Sequence, residues 1–366
     1  MQRNFTMQRL LTFLTTGVLL SAFSWQTAPA SGVATGVNIF DEGVASQKEQ
    51  DAELQQLSDN GVKIIRTGLG KSSMYFITAA YKRGITTVAI VYPFYGSKAQ
   101  AKGSWSRVPL SEVKPEEFQG RFKPILDSLD AAGVHLAAVE FGNEINTSGY
   151  NGDIPKPGSG RILGIADLNN ASDPEGPVIA TSLRNYLKLM GTLKEMLQAS
   201  QANKATPILS AGLADWGTPG PKSWNNAVGV SIPDTLEFLR QNGLDKLADG
   251  YAVHIYPSGD PHVNVAARQA QLSQNILATC KPGAKPCWVT EWGIGNPGHT
   301  CPNPDEDRVQ AIKEERAAFA PFASQGRLAA LIYFPWTGFP GAPVDPNAIF
   351  RCGQLSNSGK LALSPL

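Results

Sequence analysis

Histidine and cysteine are scarce in this chain, four of each among 366 residues. The histidines, His135, His254, His262 and His299, are scattered, which argues against a metal-dependent hydrolase, whose ion takes clustered imidazole and carboxylate ligands. No Cys-x-x-Cys pair occurs, so a structural zinc site is disfavoured too. No block of one charge sign is present and the formal net charge is +1, so nothing favours nucleic acid or an acidic membrane surface as a partner. Internal repeats, low-complexity tracts and a convincing linker are also missing. No glycine-rich phosphate turn follows the first candidate strand, which speaks against a dinucleotide-binding open sheet. Beyond residue 23 no second long apolar run appears, so the mature chain is expected to be soluble. Neither cofactor nor metal is called for.

What is present begins with a leader. Arg3 and Arg9 precede an apolar run from Leu10 to Phe23, and Ala28-Pro29-Ala30 offers small residues for cleavage. That layout is expected of a secretory signal peptide over residues 1–30, lost on the way to a secreted or periplasmic location. Thr12, Thr15, Thr16 and Gly17 interrupt the run too much for a membrane span. No cysteine lies near the cleavage point to take a lipid. Export leads to oxidising conditions, which suit disulfides. Of three possible pairings, Cys280 with Cys287, closing a short turn, and Cys301 with Cys352, tying two late loops, is favoured.

Hydrophobic residues are 42% and charged residues 17%, which supports one large core. Short apolar runs are expected to form strands at 33–39, 62–67, 86–92, 135–141, 207–213, 250–255, 288–291 and 328–334. Between them, stretches of period 3.6 predict helices at 47–58, 72–82, 116–132, 180–199, 233–241, 266–278 and 305–319. Glycine at or just past the ends, as in Asn60-Gly61 and Asn242-Gly243, marks the stops. Strict alternation reads as a (β/α)₈ TIM barrel, a single domain over residues 31–366 and a monomer. The eighth helix is not evident, so closure after Phe334 is expected from a short helix or the late disulfide. Long loops at 146–177 and 214–232 leave the carboxyl end of the barrel and are expected to wall a cleft.

Polar residues gather where these strands end: Arg66, then Asn143 and Glu144, then His254 and Tyr256, then Glu291, with Trp336 after the last. Each alone has an ordinary explanation, whether a solvated carboxylate, a satisfied core histidine or a lid on the core. In a barrel all of them meet in one pocket. Trp216, Trp292, Tyr92, Tyr95 and Phe339 are candidates for lining it. His135 opens its strand at the far end and reads as structural.

The ordered set Phe141-Gly142-Asn143-Glu144, His254-Ile255-Tyr256 and Thr290-Glu291-Trp292-Gly293 resembles the clan A retaining glycoside hydrolases, among them the family 5 cellulases and mannanases and the family 39 glycosidases. The resemblance implies Glu144 as acid/base and Glu291 as nucleophile. It implies Asn143 on the sugar 2-hydroxyl, Arg66 and Tyr256 holding the nucleophile, His254 as a further binding residue and Trp336 as a platform beneath the reactive sugar. Trp292 and Trp216 join the substrate-binding set. The expected activity is exported, retaining β-glycosidase action on a polysaccharide or oligosaccharide, endo-acting by its long loops, by double displacement. The alternative is a carbohydrate-binding barrel without catalysis.

Overall fold

Eight short runs of small and β-branched residues pair in parallel, and amphipathic helices cover them. The computed structural model describes residues 32–40, 45–94, 108–215, 219–221, 226–256, 280, 285–296, 301, 304–338 and 345–366. The strands are β1 (Ala34–Asn38), β2 (Ile64–Gly68), β3 (Thr86–Val91), β4 (Ala138–Phe141), β5 (Ile208–Leu209), β6 (Tyr251–Ile255), β7 (Cys287–Trp292) and β8 (Leu328–Tyr333). They lie in the order β5-β4-β3-β2-β1-β8-β7-β6, and a parallel bridge from Leu209 to Gly250 joins the two ends. The architecture is the expected (β/α)₈ barrel.

Period-two alternation sorts the side chains into an inner and an outer core. Inside, Ile64, Val88, Ala138, Leu209, Ala252, Trp288, Ala330 and Ile332 make an apolar floor. Two residues on along four of these strands stand Arg66, Glu140, His254 and Thr290, all buried. One pleat of the barrel is therefore apolar and the next is polar. The outer core packs Val37, Ile65, Val139, Val253, Val289 and Leu331 against the inward faces of the helices.

Helix starts follow local chemistry. Ser46 and Glu49 form a capping box at Gln47–Asp59, and Ser231 caps Ile232–Gln241. The strand expected from residue 135 starts at Ala138 because the chain before it bonds to a side chain. Leu136 N donates to Asn203 Oδ1 and Asn203 Nδ2 donates to Val134 O, at 2.9 Å each. The seam after β8 is closed by a short helix, Asn357–Leu363, capped by Ser356. It packs on the helix Glu306–Ser324 and on β1, where Thr35 Oγ1 donates to Leu363 O. Cys280–Cys287 and Cys301–Cys352 are both bonded, as expected.

The two long loops build on each other. Arg161–Leu163 from the first pairs antiparallel with Gly220–Pro221 and parallel with Gly229–Val230 of the second. Asn146 bolts them together, donating from Nδ2 to Ala214 O and Val230 O, at 2.8 Å each. Gly32–Leu366 cluster as one unit. The expected leader, the helix at 266–278, Trp216, Tyr95 and Phe339 lie outside the described residues. No helix among the described residues is long and apolar enough to cross a membrane.

Candidate active site

Arg66 projects from β2 into the polar layer, and all five of its N–H donors find acceptors. Nε and Nη2 grip Glu140 at 2.6 and 2.9 Å. Nη1 reaches Asn38 Oδ1 at 2.7 Å and Glu291 Oε1 at 2.6 Å, and Nη2 also reaches Asn143 Oδ1 at 2.9 Å. Burial works against the Arg66 charge, but Glu140 and Glu291 outweigh it and hold its pKa above the usual range. Burial would likewise raise Glu140, yet Arg66 and then His254 bring it down to about 2. Gly212 N and Thr290 Oγ1 also donate to Glu140 Oε1.

Glu291 is aimed by a defect in its strand. Along β7, Trp288 and Thr290 face inward, so strict alternation would turn Glu291 out. The pairing with β6 slips between Val289 and Glu291, a bulge that lets Thr290 and Glu291 both face the interior. Tyr256 donates to its second oxygen, Oε2. Glu144 is placed by a second irregularity: Gly142 at φ 88° and Glu144 itself at φ 41° end β4. Glu140 faces the interior by alternation with Ala138, and although strand geometry stops at Phe141 the turn that follows brings Glu144 to the same interior. Glu144 N donates to Gly212 O at 2.7 Å, fixing the turn to the end of β5.

His254 stands between the acids. Nδ1 is 3.1 Å from Glu144 Oε1, and Nε2 is 3.5 Å from Glu291 Oε1 and 3.6 Å from Glu140 Oε1. Burial alone would depress this imidazole; Glu291, with hydrogen bonds to Glu140 and Glu144, prevails over both burial and Arg66 and raises it to about 9. One oxygen of Glu144, one of Glu291 and a ring nitrogen of His254 all lie within 4.8 Å of one another. This trio is also the one place among the described residues where a metal ion could be held. An ion there would have to displace Arg66 and Tyr256 from Glu291 and meet a protonated imidazole, so the residues fit acid/base work better.

The pKa shifts set a pH window for stability. Glu140, depressed from 4.5 to about 2, contributes fully above pH 4.5, and its share is lost as pH falls through 2. His254, raised from 6.5 to about 9, contributes fully below pH 6.5, and its share is lost as pH rises through 9. Each is worth roughly 3 kcal/mol when fully titrated. Urea unfolding across pH should give a maximum between 4.5 and 6.5. His254→Asn should flatten the alkaline limb, and an unchanged limb would show another group responsible.

Of the three tryptophans expected on substrate, the two among the described residues, Trp292 and Trp336, prove to be core. Trp292, one past the bulge, points outward and meets Phe319 and Tyr333 edge-on at 5.5 and 5.0 Å. Trp336 is fully buried, stacked on Phe350 at 4.8 Å, with its backbone N–H donating to Asn38 O. Neither offers a face to a sugar. The aromatic at the mouth after β8 is half-buried Phe334, edge-on to Tyr256 at 5.6 Å and Phe40 at 4.7 Å. His135, exposed and 6.1 Å from the Tyr81 ring, stands apart from the site.

Gly212 was hidden from sequence reasoning; its only signal is a run of small residues, Ser210-Ala211-Gly212, at a strand end. A Cβ there would lie 2.1 Å from His254 Nε2 and 2.9 Å from Glu140 Oε1. Gly212→Ala should therefore lower kcat/KM by about 100-fold through displaced side chains and destabilise by about 1–3 kcal/mol. Steady-state kinetics with urea melts check both, and an unaltered variant would contradict this close packing.

Comparison of the sequence with family models and with curated proteins found no match. Solved structures do resemble it. Virulence factor SghA from Agrobacterium tumefaciens is 13% identical, with 92% of this chain and 97% of that chain covered and a TM-score of 0.55. The hyperthermostable endo-1,4-β-D-mannanase from Thermotoga petrophila RKU-1 is 12% identical over 91% and 98%, at 0.55. The family 1 β-glucosidase from Thermotoga maritima is 11% identical over 91% and 96%, at 0.56. At these identities the likeness is one of fold: the barrel of known glycosidases, covered nearly end to end.

Proposed function

We propose that the chain is an exported retaining β-glycosidase that cleaves an oligo- or polysaccharide by double displacement. The observation that carries this reading is the spacing of Glu144 and Glu291, with oxygens within 4.8 Å. Retaining enzymes hold their two carboxyl groups about 5–5.5 Å apart, whereas inverting ones leave about 6.5–9.5 Å for a water molecule.

The surroundings divide the labour. Arg66 and Tyr256 donate to the two oxygens of Glu291 and hold it in place as the nucleophile towards the anomeric carbon. Glu144, within reach of His254 and facing Glu291 across the gap, is the acid and brings the catalytic proton. Glu144 gives that proton to the leaving oxygen as the glycosyl ester forms on Glu291. It then takes a proton from the water that hydrolyses the ester. Asn143, its Oδ1 committed to Arg66, offers Nδ2 to the sugar 2-hydroxyl. The paired loops beside the mouth favour a cleft and internal cleavage.

The structural relatives support the substrate class: one is a mannanase and another a β-glucosidase. Reducing-end release should be measured on β-glucan, mannan, xylan and bacterial exopolysaccharides, followed by NMR of the first-formed anomer. A product that keeps the β configuration is expected. An inverted anomer would remove Glu291 from its role, and binding without turnover would favour the inactive barrel.

A further inference from the structure

One rung of the ladder between β4 and β5 is supplied by a side chain from a helix. The two strands pair at Val139 with Ile208 and at Glu140 with Leu209, and they meet again at Asn143 with Gly212. Between those pairs Ala211 N donates to the Tyr186 hydroxyl at 2.9 Å, and that hydroxyl donates to Phe141 O at 2.8 Å. The phenol thus relays a bond that two parallel strands would otherwise make directly. The register is the same on either side, so the inserted oxygen spreads the strands without slipping them.

Tyr186 is fully buried in the helix Gly176–Ala199, with its ring stacked on Phe141 at 5.3 Å. Burial raises its pKa, so the donor proton stays in place near neutral pH. Directly after Phe141 comes Gly142 at φ 88°, where the chain leaves the strand towards Glu144. One helical turn before Tyr186, buried Ser182 accepts from Asn151 Nδ2 at 2.8 Å, and the same amide donates to Ile145 O at 3.1 Å. Ser182 and Tyr186 lie on one face of the helix, and they hold the chain just after and just before Glu144. The proposed reaction uses neither of them.

We propose, building on the glycosidase reading, that Tyr186, with Ser182 one turn before it, positions Glu144: the Tyr186 hydroxyl fixes the point where β4 ends, so that the acid/base turns to face Glu291 and the leaving oxygen. Glu144 itself stands in the left-handed region at φ 41°. A backbone of that kind persists only where its neighbours over-determine it. Tyr186→Phe would leave Phe141 O and Ala211 N, both buried, without their shared partner. The strands would then close to make a direct bond and draw the turn with them. Proton transfer needs hydrogen-bond reach, and a displacement of about 1 Å can cost about 100-fold.

The test uses the whole protein and two β-glycosides of whichever sugar the substrate screen selects, one of phenol and one of 2,4-dinitrophenol. Tyr186→Phe, which keeps the ring, should lower kcat/KM about 30-fold on the phenyl glycoside, whose leaving group needs a proton. On the dinitrophenyl glycoside, whose leaving group does not, kcat/KM should stay within about threefold. Turnover of the second should still slow behind a burst of dinitrophenol, because water needs a base. Azide, which attacks without giving up a proton, should restore it. Ser182→Ala, which loosens the far end of the same turn, should show the same split more weakly, and it carries the test if Tyr186→Phe folds poorly. Rates are corrected for the folded fraction from urea melts. Equal losses on the two glycosides, or no loss on either, would make this helix face merely structural and overturn the proposal. Both results leave the glycosidase reading standing. Failure of wild type on every glycoside would remove that reading, and this proposal with it.

Discussion

Glu291→Gln is expected to lower kcat by at least about 10,000-fold on every glycoside, whatever its leaving group. The amide cannot form the glycosyl ester, and it leaves Arg66 without one of its anions. Glu144→Gln should behave differently. With a poor leaving group the loss should be about 100- to 10,000-fold, the range of general acid catalysis. With 2,4-dinitrophenolate, which departs without a proton, the first step should be nearly untouched and hydrolysis of the glycosyl ester should become limiting. A burst of dinitrophenol from Glu144→Gln, and none from Glu291→Gln, assigns the two roles. The reverse pattern would exchange them.

Arg66→Met should have the largest effect on stability, about 3–5 kcal/mol in urea melts. Arg66 and Glu140 are fully buried, and the Glu291 side chain is 9% exposed. Removing the cation leaves two carboxylates without their main partner in a site that water barely reaches. The loss should come mostly from stranded charge rather than from missing hydrogen bonds. Arg66→Met combined with Glu140→Gln should therefore recover part of it. A double variant no more stable than Arg66→Met alone would show that the arginine acts chiefly as packing. Activity should fall in the single variant as well, since Glu291 Oε1 loses the donor that positions it.

Glu140 is the most instructive residue beside the expected set. It sits in an apolar run, and its neighbourhood to Glu144 is visible at once. Alternation puts it on the same face as Ala138; what could not be read is where the strand stops and which way Glu144 then turns. The stop is set by Gly142 and by Glu144 in the left-handed region, and both depend on Gly212 of another strand holding the turn. Trp292 shows the same limit from the other side. Its position next to Glu291 invites a role on substrate, and the bulge at Thr290 sends it into the outer core.

The chain's own order of apolar runs, caps and glycine stops determined the barrel, because local periodicity and short connections leave few ways to bury those faces. It likewise determined which strand ends carry Glu144, Glu291, Arg66, His254 and Tyr256, since a parallel barrel brings all its carboxyl ends to one mouth. Tertiary structure alone decided side-chain direction: the bulge that turns Glu291 inward, the turn that faces Glu144 towards it, and the burial of Trp336 in favour of Phe334. The reason is that facing depends on register between neighbouring strands. A slip of one residue reverses it without altering any local pattern.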